Sequence, residues 1–153
     1  MRAHETAEHE VAEVPAQALV PLREAVLGWT RPHIDLDFET SSRHFAVLDP
    51  AGRPLAGASA GLSEFPVPGH PAGLSMRFWA VAVDPAHQGA GHGRRLMQAV
   101  LDHGRRLGAD SAWANARESA IPYYLAMGFE EVGERFADPL NGQVDGRVIL
   151  SLD

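Results

Sequence analysis

One stretch, SMRFWAVAVDPAHQGAGHGRRLM over residues 75–97, constrains the fold of this 153-residue chain more than any other. After Arg77 it is apolar on both alternating faces through Val83, a pattern carried by a strand that is covered on two sides, so residues 75–83 read as a central strand. Asp84 and Pro85 stop it. From Gly93 the apolar period lengthens: Leu96, Met97, Val100, Leu101 and Leu107 fall on one stripe of a helix, while Arg94, Arg95, Asp102, Arg105 and Arg106 fall elsewhere. Gly108 supplies the terminator. A doubly covered strand turning directly into an amphipathic helix specifies a mixed α/β sheet.

The flanking segments fit that frame. Residues 1–10 are polar and are expected to be flexible, and EVAEV is a short edge strand. Residues 16–27 set Leu19, Leu22, Val26 and Leu27 at helical spacing, with Pro21 as a kink or restart and Gly28 as the stop. Residues 29–42, with Pro32 and the acids Asp35, Asp37 and Glu39, read as a loop or short irregular helix. A hairpin follows, from residues 45–48 through a turn on Asp49, Pro50 and Gly52 to residues 55–62. EFPVPGHPAG, residues 64–73, is too rich in proline and glycine for regular structure and forms an exposed connection. Beyond the long helix come a strand in DSAWANA, a short helix over residues 120–127 closed by Gly128, and strands in FEEVGERF and GRVILSL. With no repeat and no linker-like break, residues 11–153 are expected to form one domain.

Composition narrows the function. A net charge of −7 without a basic stripe argues against nucleic-acid binding. No apolar run approaches the ~20 residues of a bilayer span and the N-terminus lacks an apolar signal core, so a cytoplasmic location with no membrane association is expected. The absence of cysteine removes disulfides, thiolate metal sites and a cysteine nucleophile. The eight histidines show neither H-E-x-x-H nor close pairing with carboxylates, so no metal is expected.

The loop QGAGHGRR then has a restricted choice of chemistry. The nucleoside-triphosphate loop needs a lysine, and this chain has none; the dinucleotide pattern G-x-G-x-x-G meets Arg94 or Leu96 at its third glycine. Glycines at a strand-to-helix turn still let backbone N–H groups approach an anion closely, with Arg94 and Arg95 adding charge. What remains is Q-x-x-G-x-G, namely Gln88, Gly91 and Gly93 after a strand ending AVDP. With Ala120, Tyr124, Gly128 and Phe129 at the spacing of a second motif, the chain resembles the GNAT (N-acetyltransferase) superfamily, and the two motifs span about 40% of its length.

The resemblance implies a GNAT-like mixed, mostly antiparallel sheet of about six or seven strands flanked by about four helices. It implies acetyl-CoA as the acyl donor, bound through the backbone of Val81, Ala82 and Val83 along the pantetheine arm and through Gln88, Gly89, Ala90, Gly91, His92, Gly93 and Arg94 at the phosphates. Asn115 and Arg117, near the place where the family often has an asparagine, are further cofactor contacts. His87 and His92 flank the loop and would assist when protonated. The acceptor would be a small-molecule or peptide amine, and a homodimer is a further expectation from the family. Tyr124 is the candidate general acid, since a phenol of pKa about 10 is close enough to a thiol near 8.5 to protonate the leaving thiolate. Without cysteine, direct attack by the amine in a ternary complex is the simplest route, with backbone N–H groups near Val81 or Ala82 polarising the thioester.

The base is less defined. Many members carry a glutamate near the start of the central strand, where this chain has Arg77, which can bind a substrate carboxylate or form a structural ion pair. Deprotonating an alkyl ammonium of pKa about 10.4 at pH 7 costs about 4.6 kcal/mol, against about 1.4 kcal/mol for an α-amine near 8. Glu64 and His70 are the first candidates for that role, acting through water. The acceptor pocket is expected from residues 29–39, the 64–74 loop and the hairpin around residues 140–145. A module that binds acyl-CoA without turnover stays open as the alternative.

Overall fold

The computed structural model describes residues 10–70, 73–139 and 142–152; the expected flexible segment therefore lies, apart from Glu10, outside the described residues. In chain order the strands are β1 (Val11–Val14), β2 (Arg43–Leu48), β3 (Pro54–Leu62), β4 (Ser75–Val83), β5 (Ser111–Arg117), β6 (Glu130–Ala137) and β7 (Val144–Ser151). They form one seven-stranded sheet in the order β1-β2-β3-β4-β5-β7-β6, antiparallel at every step except β4–β5.

Among the described residues there are three α-helices, α1 (Val20–Ala25), α2 (His92–Arg106) and α3 (Ile121–Ala126), rather than about four. The difference lies in residues 16–27 and 29–42. The first divides into a 3₁₀ turn, Ala16–Leu19, and the six-residue α1, because Pro21 has no N–H to continue a helix and sits in α1's first turn. The second yields only the 3₁₀ turn Asp35–Phe38. Pro122 likewise occupies the first turn of α3.

Helix α2 packs Leu96, Met97 and Val100 against Phe45, Val47, Met76 and Phe78, all buried. Ala56, Ala58 and Ala60 of β3, each fully buried in the same cluster, let the helix approach closely. Gly108, at φ +76°, ends the last turn, and the Ala109 amide bonds back to the Gly104 carbonyl at 3.0 Å. The opposite face of the sheet carries two smaller clusters, one under α1 built on Leu19, Leu22, Ala46 and Ala82, and one built on Phe65, Trp113 and Ile149.

The site is made where the sheet comes apart. The parallel ladder runs only through Ser75–Ser111, Met76–Ala112 and Arg77–Trp113. Its start is clamped by the Asp110 amide on the Leu74 carbonyl (2.7 Å) and the Leu74 amide on Asp110 Oδ2 (2.9 Å). On its other side β4 slips register against β3 between Gly57 and Ser59, and Ala80 adopts φ +56°. A left-handed alanine costs about 1–2 kcal/mol. The bulge re-aims the second half of β4, which runs on without β5 beside it.

Candidate active site

The gap between the two strands opens into a cleft of about 770 Å³. One wall is β4 from Arg77 to Val83, so Val81, Ala82 and Val83 line it as their place in the strand requires. At the end of β4, the Asp84 carboxylate accepts from the Ala86 amide at 3.0 Å and turns the chain into the glycine loop. Gly89 and Gly91 have φ +87° and +82°, which L side chains rarely adopt, and Gly91 is the residue before α2. The first intrahelical bond runs from the Arg95 amide to the Gly91 carbonyl (3.1 Å), so the amides of Gly93 and Arg94 have no acceptor within the helix. Gln88, Gly89, Gly91, His92, Gly93 and Arg94 all line the cleft. Together they make an arrangement suited to an anion. Ala90 does not line it; its carbonyl instead accepts from Arg95 (3.3 Å). His92 is buried, with its Nδ1 accepting from the Arg95 guanidinium at 2.8 Å.

Tyr124, Asn115 and Arg117 enter from the facing wall. The Tyr124 ring is buried against Phe78 (5.6 Å between centroids) and Phe129 (5.4 Å). Burial, and then the neighbouring Tyr123, push its pKa well above the usual phenol value, so it stays protonated. Asn115 Oδ1 is buried with no hydrogen-bond partner, an acceptor available to a ligand amide. Tyr123, read from the sequence as packing or substrate lining, is half exposed, lines the cleft and has its hydroxyl beside Gly93. Burial raises its pKa, and the charge of Arg94 acts the other way.

The opposite end of the cleft is lined by Arg77, Asp138, Gln143 and Asp145, with Val26, Leu27, Trp29 and Trp79 on a further side. Asp145 is buried and hydrogen-bonded to Asp138; burial, then the Asp138 charge, raise its pKa. Trp79 and Trp29 are held by a buried network. Arg23 grips Asp37 through both oxygens (2.7 and 2.9 Å), and its guanidinium lies 5.0 Å from the Trp29 ring. Trp79 Nε1 donates to Asp37 Oδ1 at 2.8 Å.

Two expectations about the acceptor end change. Neither Glu64 nor His70 lines the cleft, and no described residue of the 64–74 loop forms part of its wall. That loop folds back over β5 and β7: Phe65 packs against Trp113, the Phe65 amide donates to Ser75 Oγ, and His70 stacks on Phe65. The hairpin at residues 140–145 does contribute, through Gln143 and Asp145. Asp138 had no local signal, since ADPLNG reads as turn chemistry alone. Among the described residues no group of three or more His, Asp or Glu is placed to hold a metal, and no helix is long and apolar enough to cross a membrane.

A splayed sheet with a glycine-bounded helix N-terminus at one end of the gap is the layout of the N-acetyltransferase class that the two motifs resemble. The chain belongs to the acetyltransferase (GNAT) family, whose model matches residues 10–129. It is 38% identical over 55 residues to the N-alpha-acetyltransferase RimI of Mycobacterium tuberculosis, covering 36% of this chain and 35% of that one. It is 37% identical over 70 residues to an uncharacterized Mycobacterium leprae protein, covering 44% of this chain and 19% of that one. The chain thus matches about a third or less of the length of either relative. The fold is shared with an acyl-CoA N-acyltransferase from Pseudomonas aeruginosa, at TM-score 0.73 and 20% identity over 93% of this chain and 99% of that one. The ribosomal-protein-S18-alanine N-acetyltransferase of Escherichia coli matches at TM-score 0.68 and 18% identity over 95% of both chains.

Proposed function

We propose that the protein transfers an acetyl group from acetyl-CoA directly to a primary amine of a small molecule or peptide within a ternary complex. The observation that carries this reading is the joining of three features in one cleft: the unaccompanied half of β4, the left-handed glycines before α2, and Tyr124. The loop amides and Arg94 suit a pyrophosphate, the β4 backbone suits a peptide-like pantetheine arm, and Asn115 Oδ1 offers an acceptor beside it. One of the relatives sharing the fold, an aminoglycoside 6'-N-acetyltransferase, is itself complexed with coenzyme A.

The acceptor amine attacks the thioester carbonyl, whose oxygen is polarised by amides at Val81 or Ala82. Tyr124 gives its proton to the departing sulfur. The amine's proton passes to the Asp138–Asp145 pair, which takes the role expected of Glu64 or His70 because it lies in the cleft and they do not. A buried carboxyl with a raised pKa is a better-matched base than an ordinary one.

The test is CoA release with an amine panel, for wild type and Tyr124→Phe. Release that needs an amine, and falls about 100-fold in the variant, supports direct transfer. Acetyl-CoA binding with no release across the panel would favour the non-catalytic acyl-CoA-binding module instead.

A further inference from the structure

Two arginines stand on the sheet face at the cleft's acceptor end, Arg77 in the cleft lining and Arg147 two strands away on β7. Pairing across the ladders puts Arg77 beside Trp113, and Arg147 beside Asn115. Since Trp113, Asn115 and Arg117 alternate along β5, both arginines share one face of the sheet with Asp145. The Arg77 guanidinium lies over the Trp113 ring at 5.3 Å and that of Arg147 over the Phe136 ring at 4.3 Å, so each is held against an aromatic ring. Neither forms an ion pair with any carboxylate among the described residues, and the Nε of each is buried without a hydrogen-bond partner. The two cations feel each other: burial, then the Arg147 charge, lower the pKa of Arg77, with the Asp138 charge acting the other way.

Placing two partly buried like charges close enough to feel each other, each with its Nε left open, is unfavourable for the protein alone. It is favourable when an anion arrives, because a planar guanidinium offers paired donors to a carboxylate. CoA's phosphates are met elsewhere: Arg77 stands six residues before Val83, about 20 Å back along an extended strand from the glycine loop. The carboxylates Asp138 and Asp145 stand next to the arginines, Asp145 and Arg147 being about 7 Å apart along β7.

Building on the proposed transferase activity, we infer that the acceptor carries a carboxylate as well as its amine: Arg77 and Arg147 hold the carboxylate, and the amine lies toward Asp138 and Asp145. The acceptor class is amino-acid-like, with the carboxylate supplied either by a free amino acid or by an acidic residue of a peptide.

The test titrates acceptors into the protein saturated with CoA, which supports binding but no transfer, and measures acetyl-CoA turnover separately. The probes are free amino acids, their carboxamides, and two hexapeptides that differ only in aspartate or asparagine at the second position. Wild type is expected to bind the carboxylate member of one series about 10- to 100-fold more tightly than its amide partner. Arg77→Gln and Arg147→Gln should remove that ratio while leaving amide binding within about twofold, and Arg77→Lys should restore part of it. Because the readout is a ratio within each variant, a general loss of folding does not imitate it. Selectivity in the amino acids identifies a free metabolite, and selectivity in the hexapeptides identifies a protein N-terminus. Carboxylates bound selectively without turnover would overturn the transferase reading and leave this inference standing. Acids and amides bound or acetylated equally by wild type would overturn the inference alone. Binding of no probe up to about 10 mM would overturn it as well.

Discussion

At the scale of single residues, the proposed chemistry rests on Tyr124 and the loop glycines. Burial keeps the Tyr124 phenol protonated, so in the proposed reaction it serves only as a donor, enclosed by the rings of Phe78, Phe129 and Tyr123. Tyr124→Phe keeps those ring contacts, and the expected outcome is a fall in kcat of about 100-fold with acetyl-CoA affinity unchanged by equilibrium titration. Gly91→Ala tests the loop. At φ +82° a side chain costs about 1–2 kcal/mol, and the new Cβ would stand 3.3 Å from Arg95 Nη1, so the KM for acetyl-CoA should rise about 10-fold with kcat near wild type. These positions were legible in the sequence because their spacing is local: Gln88, Gly91 and Gly93 within one turn, and Tyr124 a fixed step before Gly128. Asp138 and Asp145 were harder to read. They meet through β6–β7 pairing, where Phe136 faces Asp145, and only the register brings them to the cleft. Glu64 and His70 lie outside the cleft lining; chain proximity to β4 says nothing about which way a proline-rich loop folds.

Among the elements, α1 and the 3₁₀ turn at Asp35–Phe38 are bound to the sheet by one ionic network. Arg23 reaches Asp37, Ser59 and the Pro32 carbonyl, and His44 accepts the Ser59 hydroxyl at Nδ1 while donating from Nε2 to the Asp37 carbonyl. Burial alone would raise the Asp37 carboxyl; bonds from Arg23, Trp79 and the Ile34 amide, with the Arg23 charge, hold it at about 2 against 3.8. A carboxyl lowered in the folded state stabilises above its unfolded pKa. The difference, about 2 kcal/mol, is therefore fully present above pH 3.8 and is lost as the pH falls toward 2, which denaturant melts at stepped pH will show as a falling midpoint. Asp37→Ala leaves Arg23 buried and unpaired and should cost about 3–5 kcal/mol at pH 7. The sequence marked this region only as an acid-bearing loop, since Arg23 lies in a helical pattern and its partner is 14 residues away. Pro21, by contrast, announced the break it makes.

For the whole molecule, the decisive event is the parting of β4 and β5 after three residue pairs. The alternation in residues 75–83 and the amphipathic helix were enough to place the central layer, and the hairpin and later strands followed from turn residues. The bulge at Ala80 was not legible, because nothing in AVAV distinguishes a left-handed alanine from an extended one. A cleft that divides the sheet should couple ligand binding to global stability. Acetyl-CoA at 100 times its Kd is expected to add about 2.7 kcal/mol, raising Tm by roughly 5–10 °C, while NAD at the same concentration leaves it unchanged.

Direct transfer in a ternary complex is tested most plainly by initial rates of CoA release over a grid of acetyl-CoA and acceptor concentrations, with the acetylated product identified by mass spectrometry. Intersecting double-reciprocal lines, with one N-acetylated product formed per CoA released, are the expected result. Parallel lines, or CoA released without an N-acetylated product, would contradict it.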